Sequence, residues 1–419
     1  REDLISFIYR SEINYGSREK ELLKLRKNRR KVIKAPLKEI QFVDCIIFAL
    51  KVEKLMIKNT PNPWEDTPVK INLVDFSPLI NQANIQINAS LDPFIKERYA
   101  FQLLKLYRYS KQYNAFVANY KKYFENKQSM ISAWAMEHYA GVLSETKKRA
   151  EANYYFAKVY MNCPSKRSSS YLSMKLSSTT DFERTLSLCS NDEEKMALYY
   201  IHAMQTKSLA MAALKKITQN IGNHEYARIV MSHEINKLEK ILLIKEEKEE
   251  DFEYQSEQTK ELRLLKGQVP AYLKELIQMN QNMLVKDDAN SFWHLSLAYL
   301  YYLDNQYDAC TAALKDILPS SPEIQKQHDI IFIINYLDAH NSLTEEDENI
   351  LGEKLFSINE HNPNYNFFSD KLYTNESFLG DEYNTINELF FRKIAERYQA
   401  SNSFVATIFS GKYFTNDLC

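Results

Sequence analysis

Seven glycines in 419 residues is about a quarter of average usage. They stand alone, at Gly16, Gly141, Gly222, Gly267, Gly352, Gly380 and Gly411, so neither G-x-G-x-x-G nor G-x-x-x-x-G-K-[ST] occurs. Both phosphate-cradling loops need glycine where backbone approaches phosphate, and β-rich folds need it in turns; both fold families are set aside. The five cysteines (Cys45, Cys163, Cys189, Cys310, Cys419) are odd in number, far apart and without a C-x-x-C pair. That excludes a disulfide framework and a zinc ribbon, and Cys45 and Cys310, in apolar helical patterns, read as buried small hydrophobes. The longest apolar run is seven residues, Leu297 to Leu303, against the roughly 20 that a membrane-spanning helix needs. Charge of one sign is missing too: 54 Lys and Arg nearly cancel 55 Asp and Glu, so no global field draws the chain to nucleic acid or an anionic membrane. The chain begins at Arg1 rather than Met and is read as a piece of a longer protein or a processed form, any leader or anchor lying outside it.

Aromatic side chains are abundant, with 28 Tyr, 22 Phe and 3 Trp. Wide side chains and few glycines suit the grooves between packed helices. Nearly every segment has apolar residues at helical spacing, broken by short Asn, Asp, Ser and Pro punctuation. The spacing predicts helices near 3–12, 17–33 and from Pro36 to about Lys58, then an irregular stretch with Pro61, Pro63, Pro68 and Pro78. Residues 69–74 are the one short strand candidate. From Asp92 onward the helices alternate in the cadence of helical hairpins. The expected division is a helical region 1–90 containing the loop 59–78, repeats over 91–245, a charged linker 246–267, repeats over 268–342 and a helical cap 343–419. The linker follows from residues 245–253, with six acids and two lysines, and from Gly267 and Pro270. Thr344-Glu345-Glu346 marks a helix start, and aromatic helices near 384–399 and 403–410 close the array.

Three stretches repeat one pattern with their spacings in phase. In residues 292–322, Leu297-Ala298 is a large–small pair, Tyr301 follows three residues later, Tyr307 stands at the turn, Cys310 is the small residue of the second helix and Pro322 closes the unit. In 133–164, Tyr139-Ala140, Ala152, Phe156 and Pro164 occupy those roles. In 99–124, Leu103-Leu104, Tyr107, Tyr113 and Tyr120 fit, while Phe116 stands where a small residue is preferred, so the helices there should sit further apart or cross differently. Residues 196–217 make a weaker fourth pair with Ala210 as the small residue. This pattern resembles the tetratricopeptide repeat, which implies an all-α solenoid of paired helices with irregular helical caps. Under that resemblance, helix A of each unit turns some positions to the concave face: Arg98, Phe101, Lys105 and Arg108 in the first unit, Trp134 and Glu137 in the second, and Phe292, Leu295, Tyr299 and Tyr302 in the third. A groove bearing Arg and Lys would hold an acidic or carboxylate-ended segment, and an aromatic-lined one an apolar helix or extended peptide.

Chemistry is not visible in the motifs. His224-Glu225 and His233-Glu234 do not continue to H-E-x-x-H, because Arg228 and Lys237 stand where the second histidine would. His138 and His294 fall within repeat helices and read as packing or surface residues. G-x-S-x-G is missing, and neither cofactor nor metal is expected. Ten Lys and Arg against two Glu between Ser17 and Lys38 admit two readings. One is a solvated helix face; the other is a phosphate-contacting segment over 18–38.

The expected function is a non-enzymatic protein-interaction scaffold, an accessory subunit of a larger assembly that holds protein partners and no nucleic acid. The alternative is a peptide-sensing or nucleic-acid-binding regulator using residues 18–38. Composition and the run Asn162 to Arg167 after a repeat also resemble tetratricopeptide-like envelope proteins of Bacteroidota. That likeness implies a periplasmic or outer-membrane-associated place, with peripheral or lipoprotein-type attachment outside the numbered range and the cytoplasm as the alternative.

Overall fold

Among the described residues, four inter-helix turns in this glycine-poor chain run through a non-glycine residue in the left-handed region: Lys111 (φ 59°), Asn126 (φ 63°), Lys147 (φ 64°) and Asn305 (φ 58°). The computed structural model describes residues 20, 23–24, 26–27, 37–59, 75–176, 178–243, 264–286, 291–317, 321–340 and 343–360. Among these there are sixteen α-helices and no strand, and the chain divides into two units after His202. The division falls inside the array expected over 91–245.

The first unit holds α1 (Leu37–Asn59), α2 (Ser77–Ala89), α3 (Pro93–Tyr109), α4 (Tyr113–Tyr123), α5 (Met130–Glu145), α6 (Arg149–Asn162), α7 (Arg167–Ser173), α8 (Thr179–Leu186) and most of α9 (Asp192–Gln205). The second holds α10 (Met211–Ile221), α11 (Glu225–Leu243), α12 (Val269–Lys286), α13 (Ser291–Leu303), α14 (Tyr307–Lys315), α15 (Pro322–Ala339) and α16 (Glu345–Glu360). Helix starts follow local chemistry. Asp92 accepts from the Phe94 N–H at 2.8 Å with Pro93 in the first turn. Ser129 and Ser132 form a reciprocal capping box at α5, and Thr344 and Asp347 do the same at α16. Each arrangement satisfies amides that a helix start leaves open.

The hairpins α3–α4, α5–α6 and α13–α14 close with one geometry. The amides of Gln112, Lys148 and Gln306 reach back to the carbonyls of Tyr107, Leu143 and Tyr301 at 2.8, 2.8 and 2.9 Å. This is the Schellman closure, with the left-handed residue just before the returning amide. Leu104, Ala140 and Ala298 precede these amides by the same interval, Phe116, Ala152 and Cys310 follow them by the same interval, and all six are buried. Phe116 stacks on Tyr139 with rings 6.5 Å apart and 4° from parallel. The bulky residue at that position thus packs in the groove toward α5.

Two details differ from the sequence reading. Pro322 opens α15, behind the Ser321 cap, rather than ending the preceding helix, which stops at Lys315; proline's missing N–H costs nothing in a first helical turn. Ala210 is the buried residue before α10 rather than a position within a second helix. Helices near 3–12, 384–399 and 403–410, most of the helix expected over 17–33, the strand candidate 69–74 and linker residues 246–263 lie outside the described residues.

The core of the first unit centres on α3, whose Tyr99, Ala100, Leu103, Leu104 and Leu106 meet Phe48 and Val52 of α1, Ile80 and Ile87 of α2, Phe116 of α4 and Ala135 of α5. The second unit carries a buried ionic knot. Glu234, with no exposed side-chain surface, accepts from the Ala210 N–H at 2.8 Å, Tyr272 Oη at 2.5 Å and Lys237 Nζ at 2.8 Å. Lys237 also donates to the carbonyls of Thr206 (3.1 Å) and Ser208 (2.9 Å). The residue that broke the zinc pattern is therefore the partner of that pattern's glutamate. Burial drives the Glu234 carboxyl up, but the neighbouring His233 and Lys237 and the Ala210 N–H outweigh it and hold its pKa below the ordinary value.

Two outcomes follow from these geometries. A left-handed lysine costs about 1 kcal/mol relative to glycine, so Lys147→Gly should stabilise the first unit by about 0.5–1 kcal/mol in denaturant unfolding. Removing one partner of a buried pair costs about 3–5 kcal/mol, and Glu234→Ala should lose that much, read by amide exchange across α11 and α12. Because the folded pKa is depressed, the contribution of Glu234 is complete above about pH 4.3 and disappears as pH falls through the folded value. Glu234→Gln should lack that acid-dependent loss.

Candidate functional site

The cationic and aromatic positions singled out in the first unit lie on α3 and α5, and the turn after α6 supplies further groups. Arg98 is half-buried; its guanidinium packs over the Phe94 ring, 3.2 Å from the centroid, and it donates to the Phe94 carbonyl at 3.0 Å. Glu97 lies 3.8 Å away. Phe101 is buried against Trp134 (6.0 Å between ring centroids) and His138 (5.5 Å). Arg108 donates through Nε and Nη2 to Glu145 Oε1 at 3.0 and 2.8 Å. Its Nη1 meets His138 Nδ1 at 3.0 Å. Arginine has only donors, so Nδ1 is the acceptor and the imidazole carries its proton on Nε2. A side chain on Gly141 would meet this guanidinium at 2.4–2.6 Å, so the glycine leaves the room that Arg108 occupies.

Across from α3, Trp134 Nε1 donates to Ser165 Oγ at 3.2 Å, and the Lys166 ammonium lies over the indole at 5.7 Å. Glu137 pairs with Lys166 at 2.9 Å and accepts from Ser169 and Ser170. Lys105 is different. It is half-buried, and among the described residues its ammonium makes no hydrogen bond or ion pair. Burial, with the nearby Lys166, pulls its pKa below the ordinary lysine value against the opposing pull of Glu53. The His138 imidazole is held well below its ordinary pKa by burial first and then by Arg108, Lys105 and Lys166.

Lys105, Arg108, Trp134, Glu137 and Phe101 are thus brought together around His138 and Lys166, with Arg98 toward the start of α3. The patch offers an aromatic floor with one cation, Lys105, that among the described residues has no bonded partner. His138, Gly141, Glu145 and Lys166 were missed as participants. A histidine four residues after Trp134 was visible, but its burial depends on Phe101 of another helix. Lys166 arrives through the 3₁₀ turn after Pro164, which no helical period reports.

In the second unit, Phe292 packs edge-to-face on buried Trp293 at 5.0 Å. Leu295, Tyr299 and Tyr302 pack against the cluster of Ala298, Cys310 and Leu314. Tyr302 donates to Asp338 Oδ2 at 2.6 Å, and burial raises both the Tyr299 and Tyr302 hydroxyl pKa values. Leu295, Tyr299 and Tyr302 hold α13 to its neighbours. Of the basic segment 18–38, Lys20, Lys24, Arg26, Lys27 and the backbone of Lys38 fall among the described residues. Arg26 pairs with Asp44 of α1. Among the described residues, no three His, Cys, Asp or Glu side chains converge as metal ligands, and no helix is long and apolar enough to cross a membrane. Compared with models of known protein families and with curated proteins, the chain matches neither.

The depressed His138 pKa has a consequence that titration can check. The folded protein should keep this ring neutral while the unfolded chain takes up a proton near pH 6.5. Stability should therefore fall as pH drops below that value. NMR titration should show an invariant His138 ring down to pH 6, and His138→Phe should flatten the decline between about pH 6.5 and 5.

Proposed function

We propose that this protein is a non-catalytic protein-interaction scaffold of the tetratricopeptide type, acting as an accessory subunit of a larger assembly. Its first unit takes an acidic or carboxylate-ended partner segment at Lys105. The observation that carries this reading is the half-buried Lys105 ammonium, which has no bonded partner among the described residues and lies in a patch with Lys166 and Trp134. A buried cation without an acceptor carries a desolvation cost that a bound carboxylate relieves. Three hairpins with one turn geometry support the repeat reading. Arg108 and Glu137 are satisfied within the chain and serve to frame the site.

A panel of carboxylate-ended and acidic peptides, titrated against the full chain by fluorescence polarisation, tests this. Binders should emerge, and Lys105→Glu should weaken them by about tenfold or more while helicity is unchanged. A panel with no binder, or affinity indifferent to Lys105→Glu, contradicts the reading.

A further inference from the structure

Large apolar side chains are exposed where α3 and α5 begin. Leu91, just before the α3 cap, is 95 % exposed; Met130, the first residue of α5, is 57 % exposed; and Phe94, in the first turn of α3, is 42 % exposed. The two helix starts are tied together, because Ser129 Oγ donates to Glu97 Oε1 at 2.8 Å. Leu91 and Phe94 therefore flank one end of this tie and Met130 the other. The same edge is basic. Lys96 and Lys127 are exposed, and among the described residues their ammonium groups make no hydrogen bond or ion pair. Lys121 and Lys122, in the last turn of α4, lead into the connection that ends at Ser129. The four lysines outnumber the three local acids, Asp92 on the Phe94 N–H, Glu97 on Ser129, and Glu125.

We infer that this edge is a docking surface for an anionic lipid interface. A folded protein partner would have to offer a pocket to each apolar tip, and Leu91 protrudes almost wholly into solvent. A lipid interface needs no such pocket: it accepts protruding apolar groups at the headgroup boundary while flanking cations meet anionic headgroups. The binding is superficial and reversible, since a few apolar side chains and lysines make a weak anchor. The surface is separate from Lys105, so the two assignments stand or fall independently.

Sedimentation of the full chain with vesicles of phosphatidylcholine, alone or mixed with phosphatidylglycerol, tests the inference. The chain should sediment with the mixed vesicles at low salt, lose them as salt rises, and ignore phosphatidylcholine alone. The Leu91→Asp, Met130→Asp double variant should lower the partition coefficient by about tenfold or more, and Lys96→Glu with Lys127→Glu should do likewise, both with unchanged circular dichroism. Absence of binding to the mixed vesicles overturns the inference. So does binding that both variants leave intact, which would belong to another part of the chain. Capture of polyglutamate in place of vesicles also overturns it and makes the edge an acidic-protein site.

Discussion

Closure of the helical hairpin is the constraint on which the architecture rests. Two helices can lie antiparallel at close range only if the chain reverses within a few residues and small or well-fitted side chains meet at the crossing. Here the reversal runs through one left-handed residue, and the following amide caps the outgoing helix three times over, at Gln112, Lys148 and Gln306. Lys111, Lys147 and Asn305 tolerate a conformation that glycine adopts freely. These three hairpin turns therefore carry strain, offset by burial of Ala140, Ala152, Ala298, Cys310 and their aromatic neighbours.

That closure also positions the candidate site. With α3 and α5 packed as successive first helices of two hairpins, Phe101 falls against Trp134 and His138. Arg108 lies over Gly141, and the turn after α6 brings Lys166 to Glu137. Charges on this surface are largely matched, Arg108 with Glu145 and Lys166 with Glu137. The half-buried Lys105 stands out because its surroundings are not. In the second unit the equivalent helix turns its aromatic residues to structural use, with Tyr302 fixed on Asp338 of α15.

The large–small pairs were legible because a hairpin crossing needs a fixed interval between its small residues, and Ala140, Ala298 and Cys310 sit at that interval fully buried. Helix starts at Pro93 and Glu345 were readable from Asp92 and Thr344, whose side chains cap locally. Pro322 was misread because proline both ends and begins helices, and its side of the boundary depends on where Ser321 points. The site was less legible. The repeat resemblance implied a common face for Lys105, Arg108 and Trp134, but His138, Gly141 and Lys166 join them through contacts between helices distant in sequence. The buried knot of Glu234, Lys237 and Tyr272 was hidden for the same reason: its third member comes from another helix, and its backbone partners come from a loop.

The most direct test of the account is amide hydrogen exchange resolved at the three hairpin turns. The amides of Gln112, Lys148 and Gln306 should exchange as slowly as those of the helices they close, because each is bonded back across its turn. Rapid exchange at these amides, within otherwise protected helices, would contradict the common closure and with it the repeated-hairpin architecture.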